Sequence, residues 1–554
     1  MVIRAVSSQG LLQGQRRATQ VNVLPAPTGG IDVSKALAYG QVENCLYSYN
    51  LVAAEYGLRV RNGYREWAID LDNGSGLGVH TIIPYGGDDA DLANDRLFAV
   101  TNEGIWDVTT EAGIPSLVLD FTAPGNGNDI SSEAGYGVYC NYTLQSGDRI
   151  LFYADQKNGL FRYTESTDTW AREAFITGPT IANVNFVMVH KNQIWLIEAD
   201  QSHAWYLPEL SVGGAATEFY FGTKFTHGGY VAGLFSWTID GGAGVDDYFV
   251  AVSRGGDVLV YQGNDPGSAD DWFATGQYYI GQIPKGGKFG SHSGGNLYLL
   301  SVQGLMSMNE VIQGVDGKNE NADIASRKIA YYMRPFLKEY NQDDGWEVRL
   351  TPAVGTLIIN APPRADGVEI QWVKNETINS WGLWRGVPML CVDEWKGTVY
   401  IGDEEGRVLA MDNYVDNELI TPPVSGINGQ AIPFSILTTF NDLGSPGVFK
   451  RGKFIRPQFL ATSEPSQTCA FRFDYDLIEA LNSTPAPTLG GSVWDGSEAL
   501  WDMTEWDNAT PEGYASLRGG WGIGRSVAVV MTGRSVADTT LISWDIMWDQ
   551  GGAL

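Results

Sequence analysis

Apolar and polar positions alternate along this chain in short runs, and the runs come in pairs. In each pair an apolar or aromatic strand leads into a polar or glycine-containing turn, and a second strand follows at once. The first pair is Arg96-Leu97-Phe98-Ala99-Val100, a turn at Asn102-Glu103-Gly104, then Ile105-Trp106-Asp107-Val108. Further pairs occupy 149–163, 193–207, 248–261, 297–308, 356–373 and 399–410. Alternation at period two places one face of each hairpin on a core and the other outward.

The first five hairpins start at 96, 149, 193, 248 and 297, so the intervals are 53, 44, 55 and 49 residues. Propeller blades recur at about 40–50 residues. An isolated hairpin is marginal, whereas radial packing lets each unit bury its faces on its neighbours. The pattern therefore predicts an all-β chain: a β-propeller of six or seven blades over 75–415, with an additional β-rich domain from the termini. A pair of β-sandwiches built from similar hairpins is the competing architecture.

One segment departs from this period. From Ala322 to Tyr340 the apolar positions Ile329, Met333, Phe336, Leu337 and Tyr340 follow helical spacing. This predicts a short helical insertion at about 320–342, as a contact element or an ordinary capping helix, which Pro335 should kink or split. Residues 1–74 read as an extended N-terminal segment punctuated by Pro25-Ala26-Pro27-Thr28-Gly29-Gly30. Residues 416–554 read as a C-terminal β domain, with strands near 434–440, 454–461, 471–475, 527–532 and 540–548. Between them Trp494-Asp495, Trp501-Asp502 and Trp506-Asp507 repeat, a pairing in which Trp packs and Asp bonds a turn.

Composition supports strands and turns: of 554 residues 68 are Gly, 18 are Trp, and 12% are aromatic. The 36 basic and 65 acidic residues leave a net charge of −29, which repels phosphate and excludes generic DNA affinity through counterion release. The same acidity also serves simple solubility. Cys45, Cys140, Cys391 and Cys469 have no zinc spacing and make no disulfide framework, so they read as reduced, buried apolar residues of a cytoplasmically made protein. Arg16-Arg17 precede no apolar run, so no secretion signal is expected. No stretch reaches the apolar length of a membrane-spanning helix.

No catalytic constellation is visible. His80, His190, His203, His227 and His292 stand in no HExxH. There is no nucleophile elbow and no phosphate-cradling loop; Gly241-Gly242-Ala243-Gly244 lies between strands and reads as a turn. An EF-hand loop starting at Asp70 would need Gly at its sixth position and Glu at its twelfth, but Ser75 and Thr81 stand there. Ser166-Thr167-Asp168-Thr169-Trp170 lacks the glycine of a sialidase box. The sequence thus predicts no catalytic residue, no cofactor and no metal. One cationic run interrupts the acidity: Lys450, Arg451 and Lys453, followed by Arg456. It is the candidate for contact with an acidic neighbouring subunit or a DNA backbone, against the plainer reading of a solvated strand edge.

The opening Pro25-Ala26-Pro27-Thr28-Gly29-Gly30-Ile31-Asp32, then Glu43-Asn44, then Leu58-Arg59-Val60-Arg61-Asn62-Gly63-Tyr64, resembles the start of the tail nozzle (tail tubular) proteins of short-tailed bacteriophages. In that group a Pro-Gly-Gly segment precedes an Asn within a short helical stretch and an Arg-x-Gly-Tyr turn. Trp205-Tyr206-Leu207-Pro208, Gly228-Gly229-Tyr230, Ser236 to Gly242, Asp246-Asp247-Tyr248 and Tyr261 to Pro266 are similar to the same group. So are Phe440 to Gly447 and the terminal Gly551-Gly552-Ala553-Leu554, so the likeness spans most of the chain, with Cys45 as a departure. The resemblance implies a non-enzymatic virion protein, made in the host cytoplasm. Six copies would form a ring at the distal end of the tail. That ring would hold and release double-stranded DNA, and would meet an upper-tail adaptor and tail fibres. The ring would be a closed set of heterologous contacts whose acidic lumen lets DNA slide. The alternative is a glycan-binding or glycan-cleaving propeller acting in receptor recognition.

Overall fold

The computed structural model describes residues 19–71, 77–87, 94–240, 245–312, 325–364, 367, 369–422, 428–477 and 512–553. The Trp-Asp repeat, the 241–244 glycine run and residues 72–76 of the tested calcium loop lie outside these residues.

All seven hairpins read from the alternation are present, six as the middle pair of a four-stranded antiparallel meander and 297–308 as the last two strands of a three-stranded one. Six small sheets form a propeller arrangement of six blades. The first blade runs Val79–Tyr85, Arg96–Thr101, Gly104–Asp107, Ser116–Asp120. Blades over 137–172, 184–220 and 231–279 repeat this plan, and one over 290–307 has three strands. In the sixth, Cys391–Trp395, Thr398–Gly402 and Val408–Asn413 are joined by an outer strand from the N-terminal segment, Gly63–Ala68. That strand fastens the beginning of the propeller to its end.

The seventh hairpin lies in a larger sheet. Glu347–Thr351, Thr356–Asn360, Ile370–Asn375 and Ser380–Arg385 form a blade-like meander between the 290–307 and 391–413 blades, touching the inner strand of each. Its outer edge continues through Cys45–Tyr49 into Ile432–Thr438, Val527–Ser535 and Ser466–Phe473. This half of the sheet faces a second one, in which Val448–Ala461 and Thr539–Ala553 run antiparallel along nearly their whole length. Gln20–Pro25 and Gly57–Val60 pair with Thr539–Ala553, the latter strand also pairing with Leu51–Ala54. Three short strands between Glu512 and Gly524 line the far side of Val448–Ala461. Six of the hairpins thus build a propeller and not the competing pair of sandwiches, while the additional β-rich region from the termini is a two-sheet sandwich.

One apolar core runs without interruption from the seventh meander into the sandwich, through Trp346, Trp372 and Trp381 to Phe434, Val529, Phe459, Trp544 and Trp548. The helical insertion is present as Arg327–Ile329, a 3-10 turn, and the α-helix Ala330–Glu339. The helix passes through Pro335 without dividing, a departure from the expected split. It buries Met333, Phe336 and Leu337 in that same core, and the Tyr332 hydroxyl donates to Leu46 O at 3.0 Å. Burial of one apolar face offsets the helix's missing backbone bond.

The strands of residues 1–74 are divided among three sheets. At Glu43-Asn44 there is a turn leading into strand Cys45–Tyr49, not the helical stretch the resemblance implied. Gly30 has φ +72, and a Cβ there would press on backbone atoms of Trp381 at 2.5 and 2.7 Å. Glycine at this position lets Ile31 N donate to Trp381 O at 2.9 Å, seating the segment on the seventh meander.

Candidate functional site: the propeller axis and the outer sheet face

Two of the places that gather charged side chains among the described residues bear on function. The first is the propeller axis, where the inner strands converge. Arg349 donates to the Tyr139 hydroxyl at 2.6 Å and pairs with Asp393, and the Tyr139 hydroxyl donates to Asp393 Oδ2 at 2.7 Å. Lys288 lies 3.5 Å from Glu347 and donates to Thr81 Oγ1 at 3.1 Å. Glu347 Oε2 accepts from Val392 N at 3.1 Å. Burial raises the Glu347 carboxyl above its usual range, with Lys288 and Arg349 pulling the other way. Burial opposes charge on Arg349 too, but Asp393, Tyr139 and Glu347 outweigh it and hold the guanidinium charged. His80, its ring tilted against that of Tyr136 at 4.3 Å, is pushed down to about 4 by burial and then by Lys288. The axis thus holds matched charges, and its two cavities measure only about 180 and 250 Å³.

The remaining histidines have local structural partners. His190 lies 2.9 Å from Ser236 Oγ, with its pKa lowered to about 4 mainly by burial. His227 stacks on Tyr279 and contacts Asp257 Oδ1 at 2.8 Å. Among the described residues, no group of three or more His, Cys, Asp or Glu side chains is arranged to hold a metal ion. The four cysteines are free; burial alone raises the Cys140 thiol to about 12, and burial is the main cause of the same shift at Cys469. Nucleophilic thiol chemistry needs the opposite shift.

The second place is the outward face of the sandwich, where the cationic run falls on strand Val448–Ala461. The structure separates its members. Lys450 is fully buried, and its ammonium donates to the carbonyls of Ser445, Val448 and Arg525 at 2.9, 3.1 and 2.6 Å. It ties strand ends together and is not available for a partner, which corrects the sequence reading of this residue. A lysine in a strand normally reads as solvated, and only a count of carbonyls converging on it reveals otherwise.

Arg451, Lys453 and Arg456 remain on or near the surface. Lys453 pairs with Asp549 at 2.7 Å, and Arg456 Nε donates to Asp545 Oδ2 at 2.8 Å. Directly opposed residues of antiparallel strands share a face. The registers therefore align three rows: Val21, Met547 and Phe454; Val23, Asp545 and Arg456; Asp549, Arg451 and Ile523. Apolar side chains in these rows stand open, with Val23 63%, Ile523 59% and Phe454 41% exposed. Nearby Trp521 is 90% exposed and Leu517 52%. Sequence reasoning missed this patch because it needs the pairing of residue 20 with residue 548, a relation that no local pattern encodes.

No protein-family model matches the chain, and no curated protein matches it. Among solved structures it is similar to YCF48 bound to D1 peptide, with 10% identity over 66% of this chain and 97% of that one, TM-score 0.33. It is also similar to PorZ of the Porphyromonas gingivalis type-IX secretion system, with 12% identity over 67% of this chain and 42% of that one, TM-score 0.34. A third is Chaetomium thermophilum Raptor, with 9% identity over 64% of this chain and 29% of that one, TM-score 0.38.

Proposed function

We propose that this chain is a non-enzymatic structural protein that assembles with further copies of itself into a ring, as its sequence resemblance to phage tail nozzle proteins implies. The observation that carries the reading is the outward sheet face built from both termini, with open apolar side chains flanked by rows of opposite charge. Contiguous exposed apolar surface of this kind marks an interaction site, and the flanking charges fix its register.

The paired charges filling the propeller axis fit the same reading. Cavities of about 180 and 250 Å³ admit no nucleic acid duplex, so a conduit would lie between subunits and not through a blade ring. A lumen shared by chains of net charge −29 would repel DNA phosphates and let the genome slide. Adaptor and fibre contacts would fall to the remaining surface. No membrane-crossing helix is found among the described residues.

Electron microscopy of the purified protein, alone and within virions, tests the proposal. A ring at the tail tip with an open axial channel is the expected result. A monodisperse monomer absent from the tail axis would overturn it and turn attention to glycan recognition.

A further inference from the structure

The sheet that carries the exposed patch ends in two unlike corners. Its strands follow the order Leu51–Ala54, Gly57–Val60, Thr539–Ala553, Val448–Ala461, and then the short strands that include Ile523–Gly524. The hairpin 51–60 pairs with Thr539–Ala553 at Thr540 and Leu541. Ile523 pairs with Arg451, which in turn pairs with Asp549. The two corners are therefore diagonally opposed, at opposite edges of the sheet and towards opposite ends of its long strands.

One corner holds a knob. Trp521 is 90% exposed and is followed by Ile523, 59% exposed. The backbone on each side of the indole is held: Gly520 N donates to Lys453 O at 2.7 Å, and Gly452 N donates to Gly522 O at 3.1 Å. Gly520 and Gly522 lie against Phe471 and Phe473, where an added Cβ would fall at 2.3 and 2.2 Å. Trp521 is thus a large apolar side chain presented on a fixed loop. Preorganised aromatic anchors of this kind carry much of the binding energy of an interface.

The other corner holds a socket. A cavity of about 380 Å³ opens between the hairpin 51–60 and the seventh meander. Val52, Val60, Ile378, Trp384 and Met411 give it apolar walls. Its volume lies within the roughly 300–1,000 Å³ of sites that enclose drug-sized groups, so an indole can enter. Glu55 stands exposed at its rim and makes no ion pair among the described residues. Beside the knob, Arg451 stands exposed next to Ile523.

We propose that Trp521 of one copy seats in this cavity of the next copy, with Arg451 of the first facing Glu55 of the second. The inference rests on the ring reading and names the contact that closes the ring. A closed ring of heterologous contacts needs two different, complementary patches on every subunit. A knob and a socket at opposed corners of one sheet supply them. Removing the indole and the cavity walls from water drives the contact, and the charge pair sets its orientation.

Sedimentation velocity and cross-linking of the full chain test it. Trp521→Ala should raise the concentration needed for assembly at least about tenfold. Its urea midpoint should be nearly unchanged, because the side chain is 90% exposed. Glu55→Arg and Arg451→Glu should each weaken assembly several-fold, and the double variant should regain it. Val354, 40% exposed, lines the socket. A short bifunctional maleimide should join a mixture of Ile523→Cys and Val354→Cys chains into dimers holding one copy of each, beyond the wild-type background, and should join neither variant to itself. The contact is overturned, and the ring reading left standing, if the wild type multimerises while Trp521→Ala assembles equally well, the double variant recovers nothing, or the mixture yields no mixed dimer. A wild type that is monomeric at every concentration overturns both.

Discussion

The joint between propeller and sandwich and the outward face of the sandwich are built from the same materials. Each uses residues 20–68 paired with distant parts of the chain, and each sets arginine against aspartate. At the joint, Arg61 grips Asp416 through both terminal nitrogens at 2.7 Å and donates through Nε to Asn50 Oδ1 at 3.0 Å, with its side chain wholly buried. Asn50 in turn donates to Arg385 O and Pro433 O. On the outer face, Arg456 and Lys453 meet Asp545 and Asp549 with much of their length in solvent. Burial makes the first cluster a structural lock, because an orphaned charge there has no water to turn to. In the second, the exposure of the Arg456 and Lys453 side chains makes those two positions cheap to alter.

Asp416→Ala draws the contrast most sharply. It leaves Arg61 buried without its carboxylate, and urea unfolding should show a loss of about 3–5 kcal/mol. Gly30→Ala attacks the same joint through the backbone, since φ is +72 there and Trp381 crowds the new Cβ. A loss of roughly 1–3 kcal/mol in the same assay is expected.

The pH dependence of the joint region has a defined sign. Burial, reinforced by Glu404 and Asp403 and offset by Arg61, raises the Glu369 carboxyl to about 7. A group that binds its proton more tightly in the folded state contributes stability that is present below its unfolded pKa. That contribution is lost as pH rises through the folded value. The thermal midpoint should therefore fall between pH 4.5 and 7, and Glu369→Gln should flatten that part of the profile. A variant whose profile keeps the full decline would assign it to other groups. The smallest effect belongs to the outer face: Lys453→Ala should change chain stability by less than about 1 kcal/mol in urea unfolding.

Much of the architecture was legible in the alternation of side chains. Seven hairpins were readable because their paired strands are apolar and bounded by a polar or glycine turn. The closing strand Gly63–Ala68 was not, because its partner Val408–Asn413 lies far along the chain and only the ring geometry brings them together. The helix through Pro335 escaped local rules because tertiary packing of Met333, Phe336 and Leu337 decides it. Of the cationic run, position was legible and role was not. A β-bulge between Gly452 and Phe454 shifts the strand's register, and Lys450 lies on the buried side while Arg451 stands outside.

The account turns on whether the outer sheet face joins one copy of this chain to another. Sedimentation velocity of the wild-type chain and of Phe454→Asp, across a range of concentrations, asks this directly. The account predicts a multimer for the wild type and a folded monomer for the variant. The variant's urea midpoint should be nearly unchanged, because Phe454 is 41% exposed. A monomeric wild type, or a variant that assembles as well as the wild type, would contradict it.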